Sequence, residues 1–199
     1  MANLDTPVLV LASGSPRRKR LLEAMGLTFT IQPADICEDA LPAEAPRALV
    51  ERLALAKAGA VAAGHVHPTV VLGSDTIVVL GEDVLGKPRD AEHAVELLGR
   101  LVGQTHQVLT GVALVSGDGS LRKVVCVESR VVMRPAEEDE LRSYVATGEP
   151  LDKAGAYALQ GEGRRFVVRV EGSETNVIGL PVDETRALLR EAGFDPLLP

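Results

Sequence analysis

The stretch Val8-Leu9-Val10-Leu11-Ala12-Ser13-Gly14-Ser15-Pro16-Arg17-Arg18 decides how this chain is read. Val8 to Ala12 is an unbroken apolar run, the pattern of a buried strand. Ser15 fits an N-cap, Pro16 suits the first position of a helix, and Leu21, Leu22 and Met25 fall at helical spacing before a stop at Gly26. A strand therefore feeds a helix N-terminus, the unit from which α/β folds are built. The turn offers backbone N–H groups, the hydroxyls of Ser13 and Ser15, the positive end of a helix dipole and the guanidinium groups of Arg17 and Arg18, all suited to phosphate oxygens. The same residues also suit an ordinary capped helix with solvated arginines. The glycines and lysine of a Walker A loop or a dinucleotide fingerprint are missing.

Downstream, Thr28 to Gln32 can extend as a strand and leads into a loop carrying Asp35, Glu38 and Asp39. Two readings fit this loop: a divalent cation held by one or two side chains and water, or a solvated acidic segment. Pro42 and Pro46 frame a second helix start, and Arg47 to Ala63 reads as a helix with Leu49, Val50, Leu53, Ala54 and Ala58 on one face. Lys57 lies near that face, where it either snorkels to solvent or, beside a cleft, reaches a phosphate. Thr69 to Gly73 reads as a strand buried on both faces that stops at Ser74-Asp75-Thr76. A carboxylate at such a place calls for a metal ion, a cation or a catalytic proton, unless Asp75 caps a turn through its own backbone.

Ile77 to Leu80 and Val84 to Gly86 flank Gly81-Glu82-Asp83 as a hairpin delivering Lys87 before Pro88, across from Asp75. Asp90 opens a helix to Leu101, and His106 to Val115 with Leu121 to Met133 make the strongest hairpin signal, its long strands suggesting a wide sheet. A helix is expected from Pro135 to about Thr147, with acids in its first turns. Residues 151–161 read as a loop of small side chains that lets backbone approach a flat ligand, Phe166 to Val170 as a strand, and about Val182 to Ala192 as the last helix.

Composition narrows the function classes. With 199 residues the chain fits one domain over residues 1–199, or one domain with two lobes. A formal net charge of −7, three Phe, two Tyr and no Trp argue against stable nucleic-acid binding. Cys37 and Cys126 indicate neither a zinc pair nor a disulfide scaffold, and His65, His67, His93 and His106 lack zinc-ligand spacing. With no spanning apolar run and no charged-then-apolar leader pattern, no membrane association and a cytoplasmic location are expected.

Taken together, Leu11 to Arg18, Asp35 to Glu38, Ala56-Lys57-Ala58, Gly73 to Thr76, Gly86-Lys87-Pro88, Asp152 to Tyr157, Gln160-Gly161 and Asn176 to Pro181 resemble, in order and spacing, the words of the Maf family of nucleoside triphosphate pyrophosphatases. The resemblance implies an α/β fold like that of inosine triphosphatase, a long mixed sheet with helices on both sides and an active-site cleft between two lobes. It also implies hydrolysis between the α and β phosphates with a divalent cation, Mg²⁺, Mn²⁺ or Co²⁺, in a homodimer. By matching position, Asp75 would be catalytic and, with Glu38, would hold the metal. Ser13, Ser15, Arg17, Arg18, Lys57, Thr76, Lys87 and Gln160 would bind the substrate. Gln160 before Gly161 is similar to the branch acting on dTTP and UTP, rather than to the branch acting on 7-methylguanosine triphosphate, since an amide can pair with the O4 and N3–H edge of a pyrimidine. Ser74 departs from the alanine common in the family. The rival expectation is a weakly catalytic, nucleotide-binding regulator of septum formation, a role with less use for Asp75 and Glu38.

Overall fold

Nine residues, Pro16–Ala24, follow strand β1 (Val8–Leu11) as helix α1, with Pro16 at its start and Gly26 past its end at φ +69°. The computed structural model describes residues 7–65 and 68–197, so His67 lies outside the described residues. After α1 come β2 (Phe29–Ile31), α2 (Pro46–Ala62), β3 (Thr69–Leu80), β4 (Asp83–Leu85), α3 (Ala91–Leu101), β5 (Thr105–Ser116), β6 (Arg122–Met133) and α4 (Glu138–Val145). Three short 3-10 turns, Glu149–Asp152, Ala154–Ala156 and Glu162–Phe166, lead to β7 (Val167–Glu171), α5 (Glu174–Ile178) and α6 (Val182–Glu191). The strands form one seven-stranded sheet in the order β2-β1-β3-β5-β6-β7, with β4 paired to β3. It is a mixed sheet. β1 runs parallel to β2 and β3, with Leu9 beside both Phe29 and Val70, whereas β4 is antiparallel to β3 and β7 to β6.

The described chain divides into two compact units. The first holds the residues up to Asp75, Thr110–Val127 and those from Gly179 onward; the second holds Thr76–Leu109 and Glu128–Ile178. In the first unit the period-two alternation of the strands sorts side chains between two layers of helix. Leu9, Leu11, Val70, Leu72, Val112 and Leu114 pack on Leu22 of α1, on Met25 just past its end and on Leu188 and Leu189 of α6. Val10, Ala12, Val71, Ala113 and Val115 pack on Ala54, Ala58, Val61 and Ala62 of α2. Each fully buried Leu or Val contributes about 1.5–3 kcal/mol, so both layers are firmly held.

Helix α2 lies unusually close to the sheet, because two strand positions facing it carry no side chain. A Cβ on Gly73 would stand 2.3 Å from the Ala54 carbonyl oxygen and 2.7 Å from the Ala58 nitrogen, and one on Gly111 would stand 2.3 Å from the Val50 oxygen. Only glycine permits that approach. In the second unit, Ala94, Leu97, Leu98 and Leu101 of α3 join Val78, Val108, Val131, Met133, Leu141, Tyr144 and Phe166 in one core. Asp90 caps α3 by accepting from the His93 N–H at 2.8 Å.

Three sequence expectations are corrected. The strand that begins at Thr69 does not stop at Ser74-Asp75-Thr76: β3 continues to Leu80, and Asp75 sits in mid-strand. Polar residues read as a turn here stay extended because their side chains find partners on either side of the sheet. The helix expected from Pro135 begins at Glu138, since the Pro135 carbonyl accepts from Arg134 Nη1 at 3.0 Å instead of entering the helix. A short helix, α5, precedes α6 where only a lead-in was expected.

Candidate active site

Asp75 follows Gly73 by two residues, so it projects to the same face of β3, the face on which α2 lies. The close seating of α2 at Ala54 and Ala58 puts Lys57 directly beside it. Lys57 Nζ donates to Asp75 Oδ1 at 2.6 Å and pairs with Glu38 Oε1 at 2.8 Å. Both Lys57 and Asp75 are buried, with side chains 10% and 9% exposed, while Glu38 is half exposed at 52%. A buried lysine paired to a buried acid compensates a desolvation that neither charge could bear alone. Lys57 therefore does not snorkel to solvent, and Asp75 is not a turn cap.

Ser74 points to the opposite face, where its hydroxyl donates to the Gly179 carbonyl at 3.2 Å. The same carbonyl accepts from Arg18 Nε at 2.9 Å, and Arg18 Nη1 donates to Ser13 Oγ at 3.1 Å. Ser13 Oγ also accepts from the Ser15 N–H at 3.2 Å. Ser15 is thus the N-cap residue by position, yet its own side chain makes no cap bond. Burial lowers the Arg18 guanidinium below its ordinary value; the charge of Asp75 opposes this, Arg17 adds to it, and Glu38 opposes it. Arg17, Glu38 and Asp75 are therefore each within electrostatic reach of Arg18. Seven of the candidate residues, Ser13, Ser15, Arg17, Arg18, Glu38, Lys57 and Asp75, belong to the first unit.

Thr76, Lys87 and Gln160 belong to the second unit. Lys87 is exposed just past β4, next to Gly86, whose carbonyl accepts from the Gly155 N–H at 3.1 Å. Gln160 is exposed at the tip of a turn fixed by Glu149, which accepts from the N–H groups of Glu162 and Gly163 at 3.0 Å each and from the Tyr144 hydroxyl at 2.7 Å. Gly161 adopts φ +123°, and a Cβ there would stand 2.3 Å from Glu149 Oε2. The dipeptide Gln160-Gly161 thus needs its glycine for backbone reasons.

Residues not singled out by sequence complete the site. Arg52 forks onto Glu44, Nε to Oε1 at 2.6 Å and Nη2 to Oε2 at 2.7 Å, and Nη2 also donates to the Asp39 carbonyl at 3.0 Å. This ties the acidic loop to α2 one residue beyond Glu38. An arginine and a glutamate eight apart across a helix start carry no motif, so only the folded chain reveals the pair. Gly179 was legible as part of a motif but not as the shared acceptor for Arg18 and Ser74. His106 is buried in the second unit, with Nε2 at 2.9 Å from the Tyr157 hydroxyl, and His65 and His93 are partly exposed.

A metal would find two oxygen donors here. Asp75 and Glu38 converge on one point, which the Lys57 ammonium occupies as a stand-in cation. Among the described residues no group of three or more His, Cys, Asp or Glu side chains forms a closed cage. One or two carboxylates with the remaining positions left to water and phosphate is the manner in which Mg²⁺ and related ions are held in nucleotide sites.

An α/β unit that sets two acids and a lysine beside a doubly basic helix start is of the phosphate-handling class. Comparison makes this specific: the chain belongs to the Maf family, whose model, described as Maf-like protein, matches residues 8–192. It is 51% identical over 192 residues to a dTTP/UTP pyrophosphatase of Myxococcus xanthus, covering 96% of each chain. It is 52% identical over 190 residues to one of Anaeromyxobacter dehalogenans, covering 94% of this chain and 95% of that one. With a further one, of Hahella chejuensis, it shares 51% over 188 residues, covering 94% and 92%. Among solved structures, a nucleoside-triphosphatase or dITP/XTP pyrophosphatase of Mycobacterium abscessus shares 18% identity and a TM-score of 0.39 over 63% of this chain and 72% of that one, a likeness too slight to argue from. Among the described residues no helix is long and apolar enough to cross a membrane.

Proposed function

We propose that this chain is a nucleoside triphosphate pyrophosphatase that hydrolyses dTTP and UTP to the monophosphate and pyrophosphate. The observation that carries the reading is the meeting of Asp75, Glu38 and Lys57 within electrostatic reach of the Arg17-Arg18 turn, in a chain about half identical to dTTP/UTP pyrophosphatases along nearly its whole length.

In this mechanism Arg17, Arg18 and Lys57 bind the triphosphate and neutralise the departing pyrophosphate, with Lys87 contributing a further ammonium. Ser13 and Gly179 hold Arg18 by two of its nitrogens, which fixes the direction of the remaining edge of the guanidinium. Asp75 orients water for attack on the α phosphorus and takes up its proton. Asp75 and Glu38 would also hold a divalent cation, Mg²⁺ or Mn²⁺, which supplies Lewis-acid polarisation of the phosphate when bound. Gln160 reads the pyrimidine edge, with Arg17 and Thr76 as the other specificity positions. A homodimer in the cytoplasm is part of the same proposal.

The test is Asp75→Asn assayed for pyrophosphate release from dTTP and UTP with Mn²⁺. Loss of a base or ligand of this kind costs about 10²-fold or more in turnover. Turnover near that of the unaltered protein removes Asp75 from the reaction, and release of orthophosphate in place of pyrophosphate removes the bond assignment.

A further inference from the structure

We infer that Lys57 is a resident counter-cation, which occupies the position between Asp75 and Glu38 when no nucleotide is bound and yields it to the divalent ion as the triphosphate arrives. The inference rests on the function proposed above and adds a competition and a coupling to it.

The geometry leads there in three steps. Lys57 starts from a point set by α2, which is seated close on the sheet backbone at Gly73. Its ammonium then lies 2.6 Å from one acid and 2.8 Å from the other, the distances at which one cation serves two carboxylates. Finally, the ammonium carries half the charge of the two acids it faces. A divalent ion matches that charge in full, but it cannot share the point with the ammonium, since two cations a few ångströms apart repel strongly. The lysine stem has four rotatable carbons and a compact charge, so it can leave without moving the helix. The other anion available in the reaction is the triphosphate, toward which the Arg17-Arg18 turn already directs positive charge.

Two consequences follow, the second of which a fixed structural lysine would not produce. Metal binding in the absence of nucleotide is weakened by the ammonium it must displace. Nucleotide strengthens metal binding by giving Lys57 a new partner, and by linkage the metal strengthens nucleotide binding to the same degree. The site thereby stays closed to free cations until a substrate is present.

Mn²⁺ titration by calorimetry, without nucleotide and then with α,β-imido-dUTP, tests this on the unaltered protein and on Lys57→Met, which keeps the stem and removes the charge. The expected result is binding of Mn²⁺ about tenfold or more tighter in the variant without nucleotide, together with a smaller gain on adding the analogue. Lys57→Gln supplies the same comparison should the methionine variant lose its native circular dichroism. Equal or weaker Mn²⁺ binding by the folded variant overturns the inference, as does an undiminished gain from the analogue. The two readings fail separately. Tighter Mn²⁺ binding by the variant of a protein that leaves UTP intact sustains the counter-cation and removes the substrate; metal-dependent turnover of UTP with no tightening does the reverse.

Discussion

The seating of α2 on the sheet is the feature on which the site depends, and Gly73→Ala perturbs it by one methyl group. The added Cβ would stand 2.3 Å from the Ala54 oxygen, 2.7 Å from the Ala58 nitrogen and 3.0 Å from the Ala58 Cβ, whereas ordinary contact begins at 3.4 Å. Two of those three atoms are backbone, so no side chain can turn away and the helix itself must retreat by about 1 Å. Overpacking of this kind costs about 1–3 kcal/mol. For a chain of this length a loss of about 2 kcal/mol lowers the melting temperature by about 4–8 °C. The same retreat carries the backbone of Lys57 away from Asp75, so their 2.6 Å bond persists only if the lysine stem extends and draws the ammonium from its place. Misplacement by about 1 Å costs on the order of 10²-fold in rate when the group belongs to the reacting array. Differential scanning calorimetry and pyrophosphate release from UTP measure the two effects on one preparation. A Gly73→Ala protein with unaltered melting temperature and turnover would refute the reasoning, for it would mean that α2 is not seated where the geometry puts it. Gly59→Ala is the matched control on the same helix. Nothing lies within 4 Å of a Cβ at Gly59, so only helix propensity changes.

In that control, the gain from replacing an interior helical glycine is about 0.5–1 kcal/mol, seen as a rise in melting temperature with turnover unchanged. His106 supplies a pH effect: burial pushes its imidazole down to about 4, against 6.5 when unfolded, so the unfolded chain binds a proton that the folded one refuses. Stability contributed by the neutral ring is complete above pH 6.5 and falls by up to about 3 kcal/mol as pH drops toward 4; His106→Gln should flatten that slope in urea titrations, and an unchanged slope would clear His106 of the effect. Arg52→Ala should release the loop that carries Glu38 and raise the Mn²⁺ concentration for half-maximal activity several-fold. Arg52 and the Leu41 N–H hold the Glu44 carboxyl down to about 2, so the fork should persist from neutral pH until acid approaches that value, and a metal requirement unaltered by the mutation would rule out the positioning role. Gln160→Ala should narrow the preference for UTP over CTP, and an unchanged ratio would refute the amide reading of the base.

The fold was legible where a residue's role is settled by its neighbours in sequence. Val8 to Ala12 followed by Ser15-Pro16 could hardly be anything but strand then helix, and Asp90 capping α3 or Gly81 turning into β4 are equally local. Asp75 shows where local reading gives out. Gly73-Ser74-Asp75-Thr76 carries the composition of a turn, yet the segment is the middle of a twelve-residue strand. Each of its breakers answers a demand made from a distance: Gly73 admits the backbone of α2, Ser74 meets the Gly179 carbonyl, and Asp75 meets Lys57. The sequence separations of the two hydrogen-bonded pairs are 105 and 18 residues, beyond any window of periodicity. The violation of strand composition is therefore itself the mark of the site, since a chain places glycine, hydroxyl and acid in a buried strand only where something outside that strand requires them. Had Asp75 ended the strand as its composition suggested, its carboxylate would rest on a flexible tip. In mid-strand it lies within a continuous twelve-residue extended segment, and the acid that meets Lys57 is carried by the sheet itself.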